Sequence, residues 1–333
     1  MKINSIQFKF LCTILSAVLA ITLLVGGLSI FEIDYFVKRE TENYIRVVCE
    51  KETAQVNDIL GDMEKSVNIM SSYILDFADT AANIRLPDTQ QEIIQYADRM
   101  FADVADNTDD AVAYYFRFAP EISDSKTGFF YSKLPGSEEY VLLEATDLYR
   151  YDKDDTEHVG WFWQPYEAGK PVWMMPYFNQ NNGITMISYV VPLYCNNRFI
   201  GVVGMDFDYT VLNDKIKDIK IYDNGFAYLE ANGVPIGLSG DILLPHAMDD
   251  YLQVSQELVN GMTLVLSASD GDIIHMRYQI AARILCAGLI LAVVFSVITI
   301  LMVREIVRPL RTVIDASKKL AEGDYNLDRK SVV

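Results

Sequence analysis

The chain of 333 residues has few of the side chains from which metal sites, catalytic triads and disulfide frameworks are made. Its 3 histidines, His158, His246 and His275, are far apart, and its 4 cysteines form no CxxC pair and no Cys/His cluster. Cys12 and Cys286 lie inside long apolar runs, so only Cys49 and Cys195 remain elsewhere. A disulfide-stapled fold is excluded, and no metal or other cofactor is expected. Carboxylates are plentiful, but Asp109-Asp110, Asp154-Asp155 and Asp249-Asp250 are adjacent in sequence. Glycosidase-type chemistry needs two acids facing each other across a cleft, whereas adjacent residues usually point apart, so no catalytic residue is assigned. Basic residues are also scarce, 28 Lys and Arg against 46 Asp and Glu, a net charge of −18. A surface of that sign argues against nucleic acid as a partner.

What the chain does have is two apolar runs without charge, residues 10–31 and 284–303. About 20 such residues span a bilayer as a helix. The first run is too long for the apolar part of a cleaved signal peptide and reads as an uncleaved anchor. Between them, residues 32–283 hold 19 basic and 41 acidic residues, a net of −22. Lys2, Lys9, Arg304, Arg308, Arg311, Lys318 and Lys319 flank one side; Lys38, Arg39, Arg46, Arg277 and Arg283 flank the other. That bias puts both termini inside, with residues 1–9 cytoplasmic. The expected setting is a multi-pass protein of the plasma membrane whose long loop lies outside.

Val56, Leu60, Met63, Val67, Met70 and Ile74 recur at spacings of 4, 3, 4, 3 and 4, and Cys49 and Thr53 extend the series backwards. This predicts a helix over 32–79 within a helix-and-linker segment, 32–110. The stripe packs either on its own domain or on the same helix of a second subunit. A parallel homodimer with the stripe in its seam and Cys49 in disulfide reach is the expectation tested below. From residue 111 the period becomes two, with Val112, Tyr114, Phe116 and Phe118 opposite Ala113, Tyr115 and Arg117. Further strands are predicted at 128–134, 140–144, 172–177, 184–194 and 199–207, with Asn196-Asn197 as a tight turn. Asp208 is placed to cap a helix at 209–219. A second set follows: strands at 226–230, 234–238 and 262–267, a helix at 244–259, then one helix over 271–303. The predicted fold class is α+β: a long N-terminal helix carrying two lobes, 111–219 and 220–270, with a helix at 271–283 entering the second span. Beyond it, Val307, Leu310, Ile314, Ser317 and Ala321 are spaced as in a coiled-coil seam, and Gly323 breaks the helix.

The segment WFWQPYEAGKPVWMMPY, residues 161–177, contains all 3 tryptophans. A buried indole needs a partner for its N–H, so such a cluster suits a pocket wall better than a core. Trp161, Trp163 and Tyr177 are the candidates, with Trp173 and Phe162 left to the core; Trp173, Met175 and Tyr177 should share a strand face. Asp206 ends a strand face formed by Ile200, Val202 and Gly204, in a strand apolar on both sides. A carboxylate there needs a partner, either a neighbouring turn or helix that it caps or a ligand. Tyr115 and Arg117 lie on the face opposite Tyr114; that face is either solvated or binds a ligand, with Arg117 holding a carboxylate.

These residues also resemble a known family. AYYFRFAPEI, TGFFYSKL, VGWFWQPYEAGKPVWMMPY, MISYVVPLY and IGVVGMDFD, in that order, are similar to a double Cache (dCache) sensor domain over residues 111–210. Pro309-Leu310 followed by Glu322-Gly323-Asp324 resembles the start of a HAMP signalling module, so 304–333 reads as a partial HAMP. The resemblance implies two PAS-like (Cache) lobes on a long helix, a small-molecule ligand in the membrane-distal lobe, and a cytoplasmic output such as a diguanylate cyclase, a kinase or a chemoreceptor. It looks most like the sensory half of a diguanylate cyclase. In the amino-acid-binding branch, Trp161 takes the Trp position, Phe162 the following Tyr, and Tyr177 the next Tyr. Asn179 replaces the first Asp, and Asp206 matches the last. Val159 stands where the carboxylate-binding Arg would be, which points to an organic amine or amino-acid-like ligand. A carboxylate anchored by Arg117 is the alternative. A carbohydrate-binding ectodomain would leave the spans and the coiled stripe unexplained.

Overall fold

The computed structural model describes residues 6–81, 83–236 and 250–321, which fall into two units, one comprising residues 42–270 and the other the chain on either side. Helix α1 (Ile6–Thr80) contributes to both. In the unit of 42–270 it is followed by helix α2 (Pro87–Asp106) and strands β1 (Ala111–Phe118), β2 (Gly128–Lys133) and β3 (Tyr140–Leu142). Then come helix α3 (Gly160–Ala168), strands β4 (Val172–Asn179), β5 (Ile184–Cys195) and β6 (Arg198–Asp208), and helix α4 (Tyr209–Lys217). These strands form one antiparallel sheet in the order β3-β2-β1-β6-β5-β4. A second sheet, β8-β7-β10-β9, consists of β7 (Phe226–Ala231), β8 (Val234–Ile236), β9 (Tyr251–Glu257) and β10 (Thr263–Ser269). The architecture is α+β, a long helix carrying two sheet lobes, as the sequence suggests.

Local chemistry explains the joints. Asn196 and Asn197 both adopt positive φ, 51° and 59°, the left-handed geometry of a tight hairpin turn between β5 and β6. The Asp208 carboxylate accepts a hydrogen bond from the Thr210 backbone N–H at 2.7 Å and caps α4. In α2, Ile93, Ala97, Phe101 and Ala105 are buried one turn apart, and Pro87 opens the helix where its missing N–H costs nothing. The segment expected to be linker is therefore helical, as its apolar spacing of four requires.

The α1 stripe lies inside the chain's own core. Val56, Leu60, Met63, Val67, Met70 and Ile74 are all buried, in one cluster with Tyr114, Phe116, Met205 and Phe207 of the larger sheet. Cys49 is buried as well, its Sγ 4.0 Å from the Val254 and Leu264 carbonyl oxygens of the smaller lobe. Its burial pushes the thiol pKa up. The stripe is therefore unavailable as a dimer seam, and Cys49 is not placed to cross-link two copies. A seven-residue apolar repeat shows that a helix face is covered; it does not show by what.

Two other expectations change. The predicted helix at 244–259 is, where described, strand β9, and its residues 244–249 fall outside the described chain. The predicted break at Glu322-Gly323-Asp324 also falls outside it. In the unit on either side of 42–270, α1 and helix α5 (Asp270–Ala321) each contain a stretch long and apolar enough to cross a membrane. Arg277 Nη1 meets Asp34 Oδ1 there at 2.6 Å. A Cβ added at Gly288 would lie 3.6 Å from Thr22 Cγ2, an ordinary van der Waals distance.

Candidate functional site

The register of three neighbouring strands builds the site. Asp206 on β6 pairs with Ala113 of β1 and Ser188 of β5. Tyr115 pairs with Gly204 and Phe130, and Arg117 with Val202 and Gly128. Paired residues share a face, so Arg117, Tyr115, Ser188 and Asp206 all point away from the α1 and α2 side. Gly204 makes room for the Tyr115 ring: a Cβ there would sit 2.4 Å from Tyr115 Cζ.

Tyr177 reaches this face through an irregularity. The β4–β5 register shifts between Met174 and Tyr177, at a stretch that includes Pro176, which has no N–H for the ladder. Without the shift Tyr177 would share a face with Trp173, as the sequence reading held. Instead its hydroxyl lies 3.0 Å from the Ser188 hydroxyl, and Trp173 pairs with Tyr189 on the other face, its Nε1 donating to Glu64 Oε1 at 2.7 Å.

Helix α3 carries Trp161 and ends at Gly169, whose φ of 62° is the left-handed conformation that suits glycine. Trp161 meets Tyr115 edge to face at 5.2 Å and donates its Nε1 hydrogen to the His158 carbonyl at 3.0 Å. Trp163, two residues on, lies roughly 200° around the helix. It is buried against Phe162 and Tyr166, with Lys153 Nζ 4.0 Å above its ring, and is not among the walls of the chamber.

A small chamber is bounded by Tyr115, Arg117, Trp161, Tyr177, Asn179 and Asp206, six of the seven residues singled out from the sequence. Phe130, Thr146 and Asn181 complete it. Phe130 lies on a predicted strand, but its pairing with Tyr115 is seen only in the folded sheet. Thr146 and Asn181 lie on loops, where no periodicity marks them. Asn179 Oδ1 accepts the Asn181 backbone N–H at 2.9 Å, holding that loop in shape. Val159 is fully buried in the apolar core and is not a wall.

The charges in this chamber are unusual. Asp206 is 1% exposed, and neither carboxylate oxygen makes a hydrogen bond of ordinary geometry. Burial pushes its pKa up to about 7, against a smaller downward pull from the Ser188 hydroxyl. Asp206 caps no helix; Asp208 does that. Arg117 is also 1% exposed, so its face is not solvated. Its Nη2 donates to the Ser125 and Thr146 carbonyl oxygens, the latter at 2.9 Å, while Nε has no partner. Among the described residues no carboxylate lies within ion-pair distance of it. Burial lowers its pKa to about 10, partly offset by Asp147 and Asp124, so it stays charged at neutral pH. Its guanidinium carbon is 5.8 Å from the Trp161 ring centroid. Tyr115 and Tyr177, raised well above the usual range by burial and then by Asp206, stay protonated and able to donate. Arg117 pairs with Val202, four positions from Asp206 along β6, so the two backbones stand roughly 13 Å apart. A buried cation and a buried acid thus face one small space without an ionic partner of their own.

Comparison with known proteins bears on the fold. Residues 98–214 match the family model of the methyl-accepting chemotaxis protein-like first PDC sensor domain. The extracellular domain of mmHK1S-Z2, described as a histidine kinase, superposes with a TM-score of 0.51 at 16% identity, covering 69% of this chain and 98% of that one. A structure named methyl-accepting chemotaxis protein X gives a TM-score of 0.51 at 16% identity, covering 72% and 99%. The ligand-binding domain of the Campylobacter jejuni chemoreceptor Tlp3, in complex with 4-methylisoleucine, gives 0.48 at 13% identity, covering 71% and 94%. No curated protein sequence matches. The fold is that of a PDC, or double Cache, sensor domain, and two apolar helices flank it.

Proposed function

We propose that this chain is the sensory part of a transmembrane receptor and that its larger lobe binds a small organic amine or amino-acid-like compound. One observation carries the reading: the Asp206 carboxyl group and the Arg117 guanidinium, both buried and both without an ionic partner, line the same chamber. The ligand's ammonium binds at Asp206, between the Tyr115 and Tyr177 hydroxyls, and its carboxylate binds at Arg117, beside Trp161. Arg117 thereby takes over the role left open at Val159. Each charge-assisted hydrogen bond contributes about 1.5–3 kcal/mol. Two of them supply about 3–6 kcal/mol of the ~8.2 kcal/mol of a micromolar complex, and burial of the ligand's carbon skeleton against the rings supplies the rest.

In this reading residues 32–283 lie outside the plasma membrane and both termini inside. The receptor works as a parallel homodimer through a surface other than the α1 stripe. Binding shifts α1 and α5, on the order of 1–2 Å, and the shift passes through a HAMP module to a cytoplasmic output, a diguanylate cyclase by resemblance. A carboxylate ligand without an amine is the second reading, favoured by the unpartnered Nε of Arg117. Calorimetric titration of the full chain in nanodiscs with amines, amino acids and carboxylates separates the two. Amino acids should bind best, and Asp206→Ala and Arg117→Ala should each remove binding. A carboxylate as best ligand, lost only in Arg117→Ala, would sink the amine half of the proposal.

A further inference from the structure

The charged chamber is small and adjoins a larger recess, with which it shares Thr146, Trp161, Tyr177, Asn179 and Asn181. A ligand headed by an ammonium and a carboxylate fills the inner space, so anything longer must extend outwards. What the recess adds is mostly polar. Gln180 stands beside Asn179 and Asn181 in a run of three amides at its wall. Arg150 and Glu157 bring one cation and one anion, both exposed. Lys126 and Glu144 already pair with each other at 2.8 Å, and Asp147 accepts the Ser125 hydroxyl at 2.6 Å. Arg150 and Glu157 are in no ion pair among the described residues; the guanidinium of Arg150 lies 5.7 Å from the Tyr151 ring centroid. The mouth therefore presents free donors and acceptors, and an aliphatic tail lying there would cover them without replacing their hydrogen bonds with water.

We infer that the recess selects a polar-tailed amino acid, one whose side chain ends in a hydrogen-bonding group such as an amide, over an aliphatic one of equal length. This rests on the head-group reading above. Gln180 and Arg150 are the specificity-determining residues, and Asp206 and Arg117 recognise only the head.

Titration of the full chain in nanodiscs with L-alanine, L-norleucine and L-glutamine tests it. Alanine reports on the head alone, norleucine adds an aliphatic tail, and glutamine adds an amide at similar length. Glutamine should bind roughly tenfold more tightly than norleucine, the factor expected from one or two good hydrogen bonds. The double variant Arg150→Ala/Gln180→Ala should erase that preference and leave alanine affinity within about twofold, since exposed side chains away from the chamber's charges change little else. Equal or better binding of norleucine overturns the inference, as does a glutamine preference that survives the double variant or a variant that weakens alanine and glutamine alike. Alanine binding that depends on Asp206 together with any of these results overturns the tail inference alone. If none of the three ligands binds, the head-group reading fails and the tail inference with it.

Discussion

In the four-stranded sheet the Tyr228 hydroxyl donates to Glu230 at 3.2 Å and the Gln253 amide donates to the Ser267 hydroxyl at 3.3 Å. In the six-stranded sheet the Asp206 carboxylate, the Tyr115 hydroxyl and Arg117 Nε are buried with no such bond. Among the described residues, β7 to β10 carry no buried side-chain nitrogen or oxygen left in that state. Both lobes are antiparallel sheets in one apolar cluster, so the fold alone does not account for the difference. Native proteins satisfy nearly all buried polar groups, and exceptions need a reason. Among its described residues the smaller lobe pairs its buried side-chain donors and acceptors within the chain. The larger lobe leaves Trp163 Nε1 and Tyr209 Oη without a partner as well, but three of its incomplete groups meet in one chamber, where the proposed ligand would complete them.

The sharpest way to break this comparison is Asp206→Asn. The folded pKa of Asp206 is about 7, above its ordinary 3.8, so the folded protein keeps a proton that the unfolded chain releases. A group of that kind contributes fully below pH 4, and its contribution is lost as pH rises from about 4 to about 7. Three pK units correspond to about 4 kcal/mol. The ligand-free Asn variant should therefore be more stable than wild type by up to about 4 kcal/mol at pH 8 and equal to it near pH 3.5, read from denaturation midpoints of the larger lobe. An effect of equal size at both pH values would mean that Asp206 is not the group being relieved. Next in size is the pH dependence of binding. An ammonium needs the ionised carboxylate, so affinity for an amine should fall roughly tenfold for each pH unit below about 7. A flat titration between pH 5 and 7 would place the ammonium elsewhere.

Gly204 offers a smaller, steric test. A valine there forces the Tyr115 ring to move, at roughly 1–3 kcal/mol for overpacking, and binding should weaken with stability. Loss of stability with unchanged affinity would show that Tyr115 does not touch the ligand.

How far the sequence reached differs between the lobes for the same physical reasons. Alternation along β1 and β6 gave the faces of Tyr115, Arg117 and Asp206, because a strand's period of two decides faces, but left open whether those faces meet solvent, a helix end or a ligand. Trp163 was misplaced because residues 160–168 form a helix, and there two residues apart means opposite sides. Tyr177 was given the wrong face because one bulge reverses the alternation downstream of it. In the smaller lobe Leu252 and Val254 alternate with Gln253 and Ser255, a strand signal that a longer helical reading of 244–259 covered over. The α1 stripe showed its periodicity plainly, but whether a second chain or its own lobes cover it depends on contacts far away in sequence. Loop residues such as Thr146 and Asn181 reach the chamber only through tertiary structure.

The smallest expected effects are also the most discriminating, because the two lobes should respond with opposite sign to the same kind of change. Tyr115→Phe removes a buried hydroxyl that has no partner of ordinary geometry. Its desolvation is a cost without return in the ligand-free protein, so stability should hold or rise by up to about 1 kcal/mol. Affinity should nevertheless fall several-fold, since the ligand loses a donor. Gln253→Ala removes an amide that has its partner, and stability should fall by about 0.5–1.5 kcal/mol with affinity unchanged. Thermal midpoints and calorimetric titrations of the two variants side by side give four numbers. If Tyr115→Phe destabilises as Gln253→Ala does and binding is untouched, the hydroxyl belongs to the fold rather than to the site. The contrast between the lobes would then rest on Asp206 and Arg117 alone.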